Sequence, residues 1–543
     1  CHDKGKKGWS ESVHANSSTA NMTYKSAPAS LREFDTTIKV WEAACLNCHD
    51  THTVPGSRRL LREGTDSTTS PKQGGKPAVE ETCYQCHTTT AETILTTPNS
   101  VPDIKTDFRS SVHMPIVTAD QPDGNVEVHD IKNADFEEEP LTLGKGDLSK
   151  RHTECTDCHN PHRAMKNRLF DGNGATTAAT HLHDTTARHS HLASGALRGT
   201  WGVEPDYSSF SLWGDLPSYA VKKGDAGVGA STLRTAGHVT REYQICLKCH
   251  SDYGYNDDKV YPAGATRPAL GSFTGGTPSG TNGLTRYTNQ AMEFAAKAND
   301  ALTGADQGEP GGNHRSWHPV LFPTGRTLAV RGGMANTMWL SPWNRVSTDV
   351  GNLTMYCSDC HGSTTASGTV VPNTGKPWGP HGSTSNFILK GPWSSSTGTG
   401  QAGDLCFKCH DYSNYATRNS TRSGFCCEKD TNLHGYHADK IGRMRCTWCH
   451  VAVPHGWKNK AFLVNLNDVG PEGGKAAGTQ MRNGTTAGYN NAPYYQNAIL
   501  KIRTWKASGS WNAADCGSTG APGNGTSGRN WMKDSSENCA NPP

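Results

Sequence analysis

Seven times the chain places two cysteines three positions apart with a histidine directly after the second. The copies are CLNCH (Cys45, Cys48, His49), CYQCH (Cys83, Cys86, His87), CTDCH (Cys155, Cys158, His159) and CLKCH (Cys246, Cys249, His250). Then follow CSDCH (Cys357, Cys360, His361), CFKCH (Cys406, Cys409, His410) and CTWCH (Cys446, Cys449, His450). They use fourteen of the 19 cysteines, whereas the residue counts would give about 0.03 copies by chance. Two thiols at this spacing reach the two vinyl groups on one edge of a flat macrocycle. The adjacent imidazole then swings under the iron as its proximal ligand, so C-x-x-C-H is the attachment signature of haem c. A zinc site or a redox disulfide also uses C-x-x-C, but neither demands histidine after every second cysteine.

The opening Cys1-His2 reads as an eighth copy whose first half precedes the numbered chain. Two alternatives compete: an acylated lipoprotein cysteine, or a free thiol. The histidine directly after it favours haem, giving a cofactor count of seven haems c by complete motif and eight with His2 as a proximal ligand.

Of the 25 histidines, seventeen lie outside these eight positions. Eight haems with histidine on both faces would draw eight of them, and each must be neutral and held by a partner on its other nitrogen. The stretch RHTECTDCHNPH (151–162) sets the problem, with three histidines around one cysteine pair. His52, His162 and His455 each follow a proximal histidine within five residues, on the same chain segment. None can wrap round to the opposite face of its own haem, so each is expected to serve a neighbour. His14, His113, His318 and His381 occur in short tags (SVH, SVH, SWHP, GPHG), and NLHGYH offers His437 with His434 behind it. These eight (His14, His52, His113, His162, His318, His381, His437, His455) are the expected distal ligands. His152, His238 and His434 are secondary candidates. His129 and His314 stand evenly between ligand and ordinary polar histidine, and the cluster HLHDTTARHSH (His181, His183, His189, His191) is expected to supply at most one ligand.

The elements that position these groups must be unusual. Hydrophobic residues make up 34% of the 543-residue chain, mean hydropathy is −0.67, and glycine and proline number 59 and 29. Such a chain cannot bury enough aliphatic surface to fold on that alone, so the macrocycles must supply the core. Intervals between successive motifs are irregular, which excludes a solenoid of equal repeats. The predicted fold is mostly irregular coil with short helices and few short strands, wrapped around a row of closely packed haems. A turn or two of helix is expected at each motif, with one longer helix over 289–302, and coil in the Gly/Ser/Thr-rich inserts 263–285 and 394–404. The domain reading is a multihaem electron-transfer domain over 1–455 and a haem-free cap over 456–543. Cys426, Cys427, Cys516 and Cys539 remain for disulfides. A vicinal Cys426–Cys427 bond is strained, and Cys516–Cys539 would close a Gly-rich loop. Haem c is attached outside the cytoplasm, where disulfides persist.

No run of 18 apolar residues exists, so no membrane span is expected, and no signal peptide is visible. The start at Cys1 without methionine reads as a mature or trimmed chain. A net charge of +3 with mixed signs and no basic cluster gives no case for nucleic acid. Eight haems with ionised propionates would take the balance to roughly −5 oxidised and −13 reduced, which many of the basic residues would offset.

Several phrases resemble the multihaem c-type cytochromes of metal-respiring prokaryotes. They are ACLNCHDTHTVPGSRRLLREG, RHTECTDCHNPH, REYQICLKCHSDY, MYCSDCHGS, GPHGS and RCTWCHVAVPHGWKNKAFLVNLNDVG, and they span most of 44–470 apart from the glycine-rich inserts. The resemblance implies an extracellular or outer-surface cytochrome, with the periplasm as the alternative. Its partners would be upstream periplasmic or outer-membrane cytochromes as donors, and metal oxides or electrodes as acceptors. Some relatives polymerise with copies of themselves into conductive filaments, or nanowires. The expected function is therefore electron transfer without catalysis. The alternatives are a nitrite, hydroxylamine or tetrathionate oxidoreductase with one open haem, and a discrete terminal metal reductase. None of the seven motifs carries the CxxCK of nitrite reductases.

Overall fold

The computed structural model describes residues 8–50, 60–62, 80–98, 101–110, 153–165, 191–206, 217–225, 230–255, 290–294, 318–323, 335–392, 402–417, 434–435 and 453–456. It also describes the single residues 129, 423, 432, 446, 450 and 462. Regular structure is sparse, as the composition leads one to expect. The helices are short pieces such as Ser26–Leu31, Lys105–Phe108 and Tyr412–Ala416. One two-stranded antiparallel sheet pairs β1 (Gly202–Asp206) with β2 (Ser218–Lys222), Gly202 opposite Lys222 and Asp206 opposite Ser218. The helix expected over 289–302 is helical at Gln290–Glu293, and 295–302 lies outside the described residues. The four disulfide candidates also lie outside them, as does the expected cap apart from Gly456 and Phe462.

Each motif is one closed helical turn. The histidine N–H donates to the carbonyl of the first cysteine at 2.8–3.0 Å in all seven copies. A bond of this i→i−4 type puts the first thiol and the imidazole on one face, which is the placement the chemistry needs. One turn is too short to hold itself, because nucleation fixes several residues for a single hydrogen bond. The residue before the second cysteine helps to hold it. Asp157 and Asp359 accept the backbone N–H of the residue preceding their turn, at 2.7 and 2.8 Å. Asn47 donates to the Val40 and Ala44 carbonyls at 2.7 Å, and Gln85 to the Glu81 carbonyl at 3.1 Å.

Lysine at the same motif position works at longer range. The buried Lys248 reaches from the fourth motif to the Asp157 carbonyl of the third, at 2.5 Å. Buried Lys408 of the sixth motif caps the Thr365 and Ala366 carbonyls, just beyond the fifth, at 2.7 Å. These ammonium groups join consecutive motifs, and each satisfies carbonyls that no sheet or helix would pair.

Among the described residues an apolar cluster gathers Val203, Tyr243, Leu247, Ala291, Val320, Leu321, Trp343, Leu353 and Met355 around the fourth motif. Side chains of this size stabilise by about 1.5–3 kcal/mol each when fully buried. A buried carboxylate ties the sheet to the motif. Glu204 on β1 accepts from Tyr243 Oη at 3.0 Å, Gln244 Nε2 at 2.6 Å and Arg234 Nε at 2.9 Å. Buried Arg198 likewise bonds Asp225 at 2.6 and 3.0 Å and Glu11 at 2.5 Å, anchoring the N-terminal segment. A buried charge held by several partners resists removal of any one of them.

Candidate haem-iron centres

Every motif histidine faces one histidine from elsewhere in the chain, ring to ring. The pairs are His49 with His162 at 6.1 Å between centroids, His87 with His14 at 6.3 Å, and His159 with His381 at 6.1 Å. His250 faces His129 at 6.2 Å, His361 faces His455 at 6.2 Å, His410 faces His318 at 6.4 Å, and His450 faces His434 at 6.3 Å. An imidazole nitrogen binds a transition metal at about 2 Å and lies about 1.1 Å from its ring centroid. Two imidazoles on opposite sides of one metal therefore have centroids roughly 6.2 Å apart. The residues fit a six-coordinate iron at all seven motifs. Among the described residues, no three His, Cys, Asp or Glu converge as a zinc site would require.

Burial and one hydrogen bond prepare these histidines. Burial pushes His87 and His361 down to about 4, and His250, His381 and His410 to about 3. It lowers His14, His129, His159 and His162 as well. Nδ1 faces a backbone carbonyl in His14 (Pro161, 3.0 Å), His87 (Pro102, 3.3 Å), His129 (Pro380, 2.8 Å) and His159 (Ala196, 2.9 Å). The same holds for His318 (Pro454, 2.8 Å) and His361 (Phe387, 2.9 Å). A carbonyl only accepts, so Nδ1 carries the proton and Nε2 keeps its lone pair for a metal.

Three of the accepting carbonyls belong to prolines that directly precede another paired histidine. Pro161-His162 joins the first and second centres: His162 faces His49, while the Pro161 carbonyl holds His14 opposite His87. Pro380-His381 joins the third and fourth centres in the same way, and Pro454-His455 the fifth and sixth. The intervening junctions are made by thiols in mutual contact: Cys83 with Cys155, Cys246 with Cys357, and Cys406 with Cys446. Seven centres thus adjoin one another in chain order, with two kinds of junction alternating.

Of the expected distal histidines, His14, His162, His318, His381 and His455 each face a motif histidine. His162 and His455 reach two motifs back along the chain rather than one. His434, ranked behind His437, is the residue opposite His450. His129, left open in the sequence, completes the fourth centre. His238 Nε2 lies 3.0 Å from the Ser231 carbonyl, and among the described residues its ring is not paired with a motif histidine. His191 is buried against Tyr243, with Nδ1 on the Val320 carbonyl. Cys1, His2, His52, His113, His152, His181, His183, His189, His314, His437 and Cys449 lie outside the described residues. The prolines before His162, His381 and His455 were the available sequence signal for the shared junctions. His129 carries none.

Residues 39–92 match the family model for a doubled CXXCH motif. No curated protein and no solved structure matches the chain. With five further copies of the motif, the match indicates a multihaem c-type cytochrome carrying covalently bound haem c and transferring electrons.

Proposed function

We propose that the protein conducts electrons along a row of bis-histidine haems, one at each of the seven complete motifs, with an eighth at Cys1-His2. The observation that carries this reading is the set of seven opposed histidine pairs at 6.1–6.4 Å. Haem c bound there supplies a one-electron change of iron charge. Two imidazoles saturate the iron, so the chain leaves no position for a substrate. At the second to sixth centres at least one ring is aimed by a backbone carbonyl on its Nδ1–H, which limits reorganisation when the charge changes. The Pro-His segments fix neighbouring centres to one another, because a single rigid dipeptide serves two of them.

The finer form of the proposal is an extracellular or outer-surface protein whose copies join end to end. The resemblance of its motif phrases supports this, as does a row whose first and seventh centres each adjoin only one other described centre. A head-to-tail, non-closing interface would extend such a row indefinitely. Upstream cytochromes would donate electrons, and metal oxides or electrodes would accept them.

Carbon monoxide tests the saturated coordination. The dithionite-reduced protein is expected to keep its visible spectrum unchanged under carbon monoxide. A spectrum in which one haem binds the gas would instead support a nitrite, hydroxylamine or tetrathionate oxidoreductase.

A further inference from the structure

The third and fifth centres are built alike, and differ in one methylene. In each, a Pro-His-Gly segment presents a distal histidine: Pro380-His381-Gly382 at the third, Pro454-His455-Gly456 at the fifth. In each, an acid-Phe pair from an earlier short helix packs on it. Phe108 lies 5.3 Å from the His381 ring, and Phe294 lies 5.1 Å from the His455 ring. In each, the glycine makes the approach possible. A Cβ on Gly382 would collide with the Asp107 backbone carbonyl, and one on Gly456 with that of Glu293.

The acids then part ways. Glu293, whose side chain is fully buried, reaches His455 Nδ1 with Oε2 at 2.8 Å. Asp107 is one methylene shorter, and its carboxylate is taken by Ser363 Oγ and by Lys376 Nζ at 3.1 Å. His381 Nδ1 is buried and has no hydrogen-bond partner among the described residues.

We propose that Glu293 is a positioning residue that holds the reduction potential of the fifth centre below that of the third. This rests on the axial pairing argued above. A carboxylate accepting from Nδ1–H draws the proton away from the ring and makes Nε2 a stronger donor. A stronger donor stabilises ferric over ferrous iron, so the centre gives up its electron more readily. At the third centre His381 lacks that push, and the nearby carboxylate is spent on Lys376. The two counterparts therefore differ in potential although their ligands are identical, which puts a downhill bias between sites that sequence alone would call equivalent.

The test is a spectroelectrochemical titration of haem-loaded wild type and Glu293→Gln. Glutamine keeps the acceptor and the shape and removes the charge. One midpoint potential is expected to rise by at least the ~59 mV that a tenfold change in its oxidised-to-reduced ratio requires, with the rest unmoved. Unchanged potentials in a fully low-spin variant overturn the inference and leave the axial pairing standing. High-spin haem in the wild type counts against the pairing itself. If the variant does not take up its full haem complement, near-infrared magnetic circular dichroism of the wild type decides. One charge-transfer component displaced to higher energy supports the inference, and a single undisplaced band overturns it.

Discussion

A histidine holds iron when it is neutral and shows the metal Nε2. At His14, His87, His129, His159 and His361 burial supplies the first condition and a carbonyl on Nδ1 the second. His129 displays both, held by Pro380 from 251 positions away. That distance explains why the sequence left it open: nothing within its own neighbourhood, GNVEVHDIK, marks it. The motif histidines, by contrast, were fully legible, because attachment chemistry fixes their spacing locally. Replacing His129 with alanine is expected to convert one low-spin haem to high spin, which electron paramagnetic resonance would count against the remainder. Acid should act in a set direction. With Nε2 not yet on iron, burial pushes His87 and His361 down to about 4 and His250 to about 3 in the fold, from the ordinary 6.5. The unfolded chain therefore binds more protons across that window, and folding stability falls as pH drops from about 6.5 towards 3. A low-spin spectrum followed from pH 8 downward should hold above pH 6.5 and fail in that range. Failure only on the alkaline side would contradict the burial argument.

At the scale of elements, the motif turn was legible and its support was not. Single-turn helices were expected at each C-x-x-C-H. What holds them is the side chain before the second cysteine, a role that spacing alone does not reveal. Asp359 illustrates it: removing the Tyr356 N–H···Oδ2 bond by Asp359→Ala should cost about 1 kcal/mol. Thermal unfolding followed by circular dichroism would read this as a drop of about 1 °C for a chain of this length. Gly456 makes a stricter demand, because Glu293's backbone occupies the space of its missing Cβ. Gly456→Ala forces the Pro454–Gly456 segment and the Gln290–Glu293 turn apart, and overpacking of this kind costs about 1–3 kcal/mol. A Gly456→Ala protein as stable as the wild type would refute the close packing of those two segments.

At the scale of the molecule, a chain that is 34% hydrophobic sets seven pairs of imidazoles 6.1–6.4 Å apart, centroid to centroid, at its cysteine motifs. Coil with few strands was readable from composition. The order of centres was not, because it depends on contacts such as Cys246 with Cys357, 111 positions apart. Without the macrocycles a chain this polar would have little to pack against, so haem-free polypeptide is expected to be unfolded by circular dichroism. Among the described residues no helix is long and apolar enough to cross a membrane. Whether copies join end to end would be seen by electron microscopy of haem-staining extracellular material, where regular filaments support the conduit's polymeric form and discrete particles oppose it. The most direct test of the conduit itself is electron paramagnetic resonance of the fully oxidised protein, taken with its haem content per chain. The expected result is seven or eight haems, all low-spin, as two imidazoles per iron require. A high-spin ferric signal of even one haem per chain would reveal an open coordination site, contradict the saturated row, and move the protein from conduit to enzyme.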